Sequence, residues 1–283
     1  MLITIYMKTI VIGNGIAGRA RVKIYKKYSV ENVVHFSRRI DAVFDTSIYP
    51  TDVSRVHVCT ENASHFQLVQ FLLAKIQTHV CVEFPLANTL SECEELFELA
   101  KKNQLVLHCS FIALLTEYHL VLKNYVAAQV NHLSTVTIDF QGGMNSWLLA
   151  EHHKKNWGVL ATSRIMSLFD LFGELKIENV IVEAKKESYF LKVVFSKGKI
   201  SIVLNENRRR DNKRSKKWYF NGIEIERVAQ PQSLFEMDNI IFNKLINGAG
   251  SSYVSNEKVL YVARLVDEIQ SRIKINQMIK NNN

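Results

Sequence analysis

Three glycines spaced Gly13-x-Gly15-x-x-Gly18, directly after the β-branched run Thr9-Ile10-Val11-Ile12, constrain this chain more than any other feature. A short apolar run of that kind reads as a fully buried parallel strand. The first glycine permits a tight turn out of the strand, the second lets a pyrophosphate approach the backbone, and the third lets the next helix pack hard on the strand. The following helix reads over Ala20–Tyr28, and its free N–H groups and positive dipole end face the phosphates. A glycine turn without a ligand has the same spacing. Position favours the nucleotide, because strand, turn and helix stand at the N-terminus, where a dinucleotide fold begins.

The second strand reads over Asn32–Phe36 and ends in Ser37-Arg38-Arg39, about 20 residues past the glycines. An acidic residue there accepts from a ribose 2′-hydroxyl; a hydroxyl and two forked guanidinium groups suit a 2′-phosphate instead. NADPH is the expected cofactor, NADH the alternative, and Asp41 is the one nearby acid that argues for the latter. Further strands read at Val56–Thr60, His79–Glu83 and Leu105–His108, alternating with helices at 66–77 and 90–103. That alternation predicts an α/β, doubly wound parallel sheet of the Rossmann type, with Thr60, Glu61, Glu83, Phe84 and His108 at the ligand-binding carboxyl ends of strands.

The second half changes texture. Alternating strands at Thr135–Phe140, Val180–Glu183, Tyr189–Phe195, Lys199–Leu204, Lys217–Phe220 and Gly222–Val228 predict a C-terminal α+β domain. Its open, largely antiparallel sheet has about six strands and is flanked by helices at 158–171, 233–247 and 256–274. The expected domains are 1–120, binding the nucleotide, and 121–283, binding substrate or making a dimer; the C-terminal helix is free to pack back on the first. A chain of 283 residues accommodates two domains.

Charge and composition narrow the function classes. A net charge of +9 favours anionic ligands. The basic residues are dispersed and no nucleic-acid motif accompanies them, so neither nucleic acid nor membrane is an expected partner. The Arg208–Arg214 run reads as a solvated turn between strands, or as a patch attracting carboxylates. Cys59, Cys81, Cys93 and Cys109 form no C-x-x-C pair and read as buried reduced thiols of a cytoplasmic protein. His152-His153 lacks a third ligand at sensible spacing, so no metal is expected. No apolar run is long enough to span a membrane. The first residues lack a secretory leader's pattern, and residues 1–6 read as an extension before Met7.

The series GNGIAG, VCTENASH and HVCVEFPLANTLSECEELFELA resembles the glucose–fructose oxidoreductase and inositol dehydrogenase superfamily, with its Asn-x-x-His loop (Asn62 to His65) and E-K-P turn. In sugar-acting members the lysine of E-K-P is catalytic and a later Asp-x-x-x-His assists. Here Phe84 replaces the lysine, and 158–173 contains no Asp-x-x-x-His. Within the superfamily the chain is similar to the biliverdin reductase branch, which carries E-Y-P. The matching residues are Glu83-Phe84-Pro85, Ser37-Arg38-Arg39, Leu107-His108, Ser163-Arg164 and Leu171–Leu175, in the same order.

That resemblance implies a tetrapyrrole reductase of haem catabolism, in which hydride passes from NADPH to the central methine carbon of biliverdin. It implies a cofactor site of Gly13, Gly15, Ile16, Ala17, Gly18, Ser37, Arg38, Arg39, Thr60, Glu61, His65, Glu83, Phe84 and Pro85. The candidate catalytic groups are Arg164, Glu83 and His108, and the molecule is a monomer or a homodimer through the open sheet. Arg164 paired to Asp170 or Glu174, and His108 as a buried structural histidine, are the bland alternatives. Phe84 lacks the branch's phenol, and Cys109–Ala113 lacks the carboxylates that mammalian-type members place after the histidine. The resemblance also leaves open an imine or other C=N or C=C reductase, of the siderophore thiazoline reductase kind, and a non-catalytic NADP-binding relative.

Overall fold

The structure is a computed structural model that describes residues 8–28, 33–36, 43–143, 157–185 and 188–281. It divides into two compact units, Met1–Leu115 with Pro231–Leu260, and Thr116–Gln230 with Tyr261–Asn283.

The first unit is a five-stranded, wholly parallel sheet in the order β2-β1-β3-β4-β5. Its strands are β1 (Lys8–Ile12), β2 (Val33–Phe36), β3 (Val53–Val58), β4 (His79–Glu83) and β5 (Leu107–Ser110). Ile10, Val11, Val56, Val58, Val80 and Val82 are wholly buried, as strands covered on both faces require. The helices are α1 (Ile16–Lys27), α2 (Asn62–Phe71, continued by a π-turn over Leu72–Ile76) and α3 (Leu90–Lys102). A capping box starts α3: Thr89 accepts from the Glu92 amide while Glu92 reaches back to the Thr89 amide. Strand order reverses at β1, so the crevice for a ligand opens between the carboxyl ends of β1 and β3.

The segment Pro231–Leu260 reads from sequence as part of the second half. In the structure it belongs to the first unit, and its helix α7 (Leu234–Ile246) sends Asp238 and Asn239 onto α1. The physical reason is a buried arginine on α1, described below, that needs those partners.

The second unit is a six-stranded sheet in the order β11-β10-β6-β9-β8-β7. The strands are β6 (Thr135–Gly143), β7 (Lys176–Lys185), β8 (Ser188–Lys197), β9 (Ile200–Arg209), β10 (Ser215–Phe220) and β11 (Ile223–Glu224). Every pair is antiparallel except β6 with β9. Strict alternation along β8 and β9 puts Leu191, Val193, Phe195, Ile202 and Leu204 on a buried face. Helices α4 (Glu117–Gln129), α5 (Trp157–Leu160) and α6 (Thr162–Phe172), with most of α8 (Asn256–Asn281), complete this unit. No sequence signal was read for α4; its start is capped by Thr116, and its buried His119 pairs with Asp170 of α6 at 2.9 Å. Among the described residues no helix is long and apolar enough to cross a membrane, and all four cysteines are buried outside any disulfide.

Candidate active site

The phosphate turn is built by steric necessity at two glycines. Gly13 has φ +111°, and a Cβ there would stand 2.3 Å from the Cys59 carbonyl oxygen; a Cβ on Gly18 would stand 2.0 Å from that of Gly13. No side chain fits either place, so the turn must be glycine whether or not a ligand binds. Gly15 is different. A Cβ there would meet nothing of the protein closer than 3.9 Å, so packing does not require glycine. A ligand approaching the backbone does. Asn14, Gly15 and Ile16 are exposed, and no acidic side chain occupies the first turn of α1, leaving its amide end open for an anion. These features fit a dinucleotide pyrophosphate.

Beside the turn, the carboxyl ends of β3 and β4 are tied together by His65. Its neutral ring donates Nδ1–H to the Pro85 carbonyl at 2.7 Å, while Nε2 lies 3.2 Å from the Thr60 carbonyl. Burial pushes His65 below its ordinary pKa against those carbonyl contacts, which supports the neutral ring. Ser64 bonds Thr60 Oγ1 at 2.8 Å. Phe84 stacks one ring face on Phe111, centroids 5.3 Å apart at 16°, and stays half-exposed. The structure therefore brings Gly13, Gly15, Ile16, Ala17, Gly18, Thr60, Glu61, His65, Glu83, Phe84 and Pro85 to one end of one sheet. Ser37, Arg38, Arg39 and Asp41 lie outside the described residues, as do His152 and His153.

Under Glu83 sits a charged cluster that no sequence signal announced. Arg21, one turn beyond Gly18, is wholly buried. Its Nε and Nη2 donate to Glu83 Oε1 at 3.1 and 2.7 Å. Nη2 also reaches Ser110 Oγ at 2.9 Å and Asp238 Oδ2 at 2.7 Å, and Nη1 bonds the Asn239 side-chain oxygen. Asp238 accepts in addition from Ser110 (2.9 Å), His108 Nε2 (2.9 Å) and Tyr253 (2.6 Å). Burial alone would raise the Asp238 carboxyl; Arg21 and the His108 and Tyr253 bonds override it and hold it far below the usual range. Burial raises Glu83 despite Arg21.

Strand β5 runs to Ser110, beyond the expected end at His108. Ser110 therefore stands opposite Glu83 and His108 opposite Cys81, two residues inside the sheet. Both His108 nitrogens are engaged, Nδ1 by Ser252 at 3.3 Å, and the ring stacks on Phe242. This is the structural placement rather than that of a group facing substrate. Cys81, His108 and Asp238 present ligand atoms within 4.8 Å of one another. The Arg21 guanidinium already neutralises that carboxylate, and burial holds the Cys81 thiol well above its ordinary value. The set does not fit a metal ion.

Arg164 stands in the second unit, buried on α6. Its partner is neither Asp170, which His119 and Lys123 hold, nor Glu174. It is Glu206 of β9, at 2.5 Å, with a further bond to the Leu160 carbonyl. Glu206 is wholly buried, and its other oxygen accepts from Arg208 Nε at 2.6 Å. The two guanidinium groups lie over the Phe140 ring, 4.4 and 5.0 Å from its centroid. Gly142 makes room, since a Cβ there would stand 2.8 Å from the Phe140 ring and 3.4 Å from Arg208. Arg208 thus turns inward, out of the solvated run expected from the sequence. These groups share the helix-covered face of the sheet. The other face carries Thr137, Asp139, Val203 and Asn205, so Arg164 and the open face do not meet.

Fold and turn define a dinucleotide-binding domain, and comparison with known proteins supplies the reaction class. Residues 7–111 match the family model GFO_IDH_MocA, described as an oxidoreductase family with an NAD-binding Rossmann fold. Human biliverdin reductase A is 27% identical over 289 residues, covering 92% of this chain and 94% of the relative; the mouse protein is also 27% identical, over the same shares. Among solved structures, a Synechocystis biliverdin reductase in complex with biliverdin and NADP+ superposes with a TM-score of 0.73 at 17% identity, covering 93% of this chain and 98% of that one. A probable dehydrogenase from Thermotoga maritima superposes at 0.69 and 14%, covering 93% and 96%. The chain is an NAD(P)-dependent oxidoreductase with a dinucleotide-binding domain of the Gfo/Idh/MocA type.

Proposed function

We propose that this protein is an NADPH-dependent biliverdin reductase. The observation that carries the reading is the end of β4. The position that holds lysine in sugar-acting members is Phe84, flat against Phe111 and half-exposed. Phe84 cannot take a proton from a sugar hydroxyl as that lysine does, whereas it offers a conjugated acceptor an aromatic face to lie against. Similarity to biliverdin reductases along nine-tenths of the chain points the same way.

The first unit binds the nucleotide. Its glycine turn receives the pyrophosphate and Ser37, Arg38 and Arg39 the 2′-phosphate. NADPH supplies hydride chemistry when bound. Glu83 keeps Oε2 available to orient the ribose or nicotinamide, because Arg21 holds only Oε1. Arg164 stabilises charge at the lactam or pyrrole region of the substrate, directly or through a water, and Glu206 fixes its direction. Burial outweighs Glu206 and lowers the Arg164 pKa, yet a guanidinium remains a poor acid and serves by charge. Arg208 and the cations around it suit the propionates.

The test mixes purified protein, NADPH and biliverdin and follows the far-red biliverdin band against the blue bilirubin band, with NADH in parallel. Conversion that is faster with NADPH supports the reading. NADPH binding without bilin turnover refutes it and moves the substrate to an imine or another unsaturated acceptor.

A further inference from the structure

The first unit contains a constellation that the foregoing leaves unused. His108 on β5, Asp238 on α7 and Ser252 in the loop between α7 and α8 all belong to that unit. They meet although Ser252 and Asp238 lie 144 and 130 residues from His108 along the chain. His108 Nε2 stands 2.9 Å from Asp238 Oδ1, and its Nδ1 stands 3.3 Å from Ser252 Oγ. A hydroxyl, an imidazole and a carboxylate in that order are the parts of an activated nucleophile.

The bonding partners assign the protons. Against burial, Arg21 and the His108 and Tyr253 bonds keep Asp238 ionised, and a carboxylate only accepts. His108 Nε2 therefore carries the hydrogen it shares with Asp238, which leaves the neutral ring a bare Nδ1. Ser252 is the group that this lone pair faces. Ser252 Oγ already accepts from the Val254 amide at 3.1 Å, so its own proton is the one directed at Nδ1.

The arrangement is held on every side. Asp238 divides its oxygens, Oδ2 taking Arg21 and Ser110 while Oδ1 serves His108 and Tyr253. The imidazole stacks on Phe242, centroids 5.9 Å apart at 20°, and meets Tyr253 edge-on at 5.4 Å and 73°. A base locked in this way loses little freedom when it acts. Ser252 is half-buried at the inner end of the exposed run Asn247–Ser251, so its oxygen is approached from solvent. The Gly250 and Ser251 amides of that run have no partner among the described residues and are the donors available to an oxyanion.

We propose that Ser252 is a nucleophile for acyl transfer, with His108 its general base and Asp238 the residue that positions the base. Its substrates are small carboxylic esters with a good leaving group, and the site does not depend on the biliverdin reading. His108 Nδ1 takes the hydroxyl proton as Ser252 Oγ forms its bond to the ester carbonyl carbon. The bond to the alcohol oxygen breaks, and that leaving group takes the proton from Nδ1. A water then gives a proton to Nδ1 and forms its bond to the acyl carbon. The Ser252 ester bond breaks, the serine oxygen recovers the proton, and a carboxylic acid departs.

The experiment treats the full chain with p-nitrophenyl acetate, follows p-nitrophenolate release, and places the acetyl group by mass spectrometry of the peptides. Wild type is expected to give a burst stoichiometric with the chain, an acetyl group on Ser252, and a slower steady release as water clears it. A fluorophosphonate should form its adduct on the same oxygen and abolish the burst. His108→Gln keeps the nucleophile but removes the base, and should acetylate about 10²- to 10⁴-fold more slowly. Ser252→Ala removes one hydroxyl from a loop, is checked for folding by circular dichroism, and should show no burst; it carries the test alone where His108→Gln unfolds. A burst that survives in Ser252→Ala, acetyl groups found only on lysines, or no adduct on Ser252 with either reagent overturns the proposal. Equal acetylation rates in wild type and folded His108→Gln overturn it as well, because the hydroxyl would then react without its base.

Discussion

Replacing Arg21 with methionine keeps the chain's volume and removes its charge from the most densely bonded point of the first unit. Glu83 sits at the rim and can rehydrate, since its side chain is 14% exposed. Asp238 cannot; its side chain is wholly inaccessible, and it would keep the Ser110, Tyr253 and Cys81 donors and His108 but no guanidinium. Breaking a buried pair in this way costs about 3–5 kcal/mol. For a unit of about 150 residues that corresponds to a fall of about 6–20 °C in unfolding midpoint.

The pH dependence has a defined sign. In wild type the Asp238 pKa lies below its unfolded value, so its stabilisation is present above that unfolded value and is lost as pH falls through the folded one. Without Arg21, burial dominates and raises the carboxyl above its unfolded value, so it destabilises increasingly as pH rises from about 4. Urea unfolding of wild type and Arg21→Met, followed by far-ultraviolet circular dichroism at pH 4.5 and pH 7, should show the larger gap at pH 7. Asp238→Asn in the Arg21→Met background should recover part of the loss. A midpoint within about 2 °C of wild type at pH 7, or a gap that widens toward acid, would refute the assignment of Arg21 as the counter-charge of a buried carboxylate.

The glycine turn separates packing from binding. Gly18→Ala should lower thermal stability and abolish nucleotide binding, because its Cβ meets the Gly13 carbonyl, whereas Gly15→Ala should fold like wild type yet weaken NADPH binding at least about tenfold, as read by NADPH fluorescence. Changing Arg38 and Arg39 to serine should weaken NADPH much more than NADH in the same titration; equal loss for both nucleotides would remove the 2′-phosphate role from these residues.

How much of this was legible depends on how local each feature is. The turn could be read because spacing over six residues sets its sterics; the helix after it starts at Ile16, inside the glycine motif and four residues before the expected Ala20. The parallel sheet could be read because buried strands are continuous apolar runs, and β6 to β9 because one-sided burial imposes alternation. Helix α4 was missed; its apolar residues mark no clear stripe. The partner of Arg164 was sought at Asp170 and Glu174 on or near its own helix, and it is Glu206, 42 residues away on the strand that α6 covers. The Arg21 cluster joins residues 62, 89 and 217 positions apart, separations that leave no pattern in the chain.

By itself, then, the order of residues determined the two kinds of sheet, the nucleotide turn and the absence of a sugar-acting base at Phe84. Each follows from backbone sterics, hydrophobic period or the presence of one side chain. Tertiary structure alone decided which charges meet: that α7 returns to the first unit to pair Asp238 with Arg21, that His108 is held inside the sheet, and that Glu206 is shared by two arginines. Burial is the reason. A charge taken out of water must find its partner in space, wherever the chain happens to supply one.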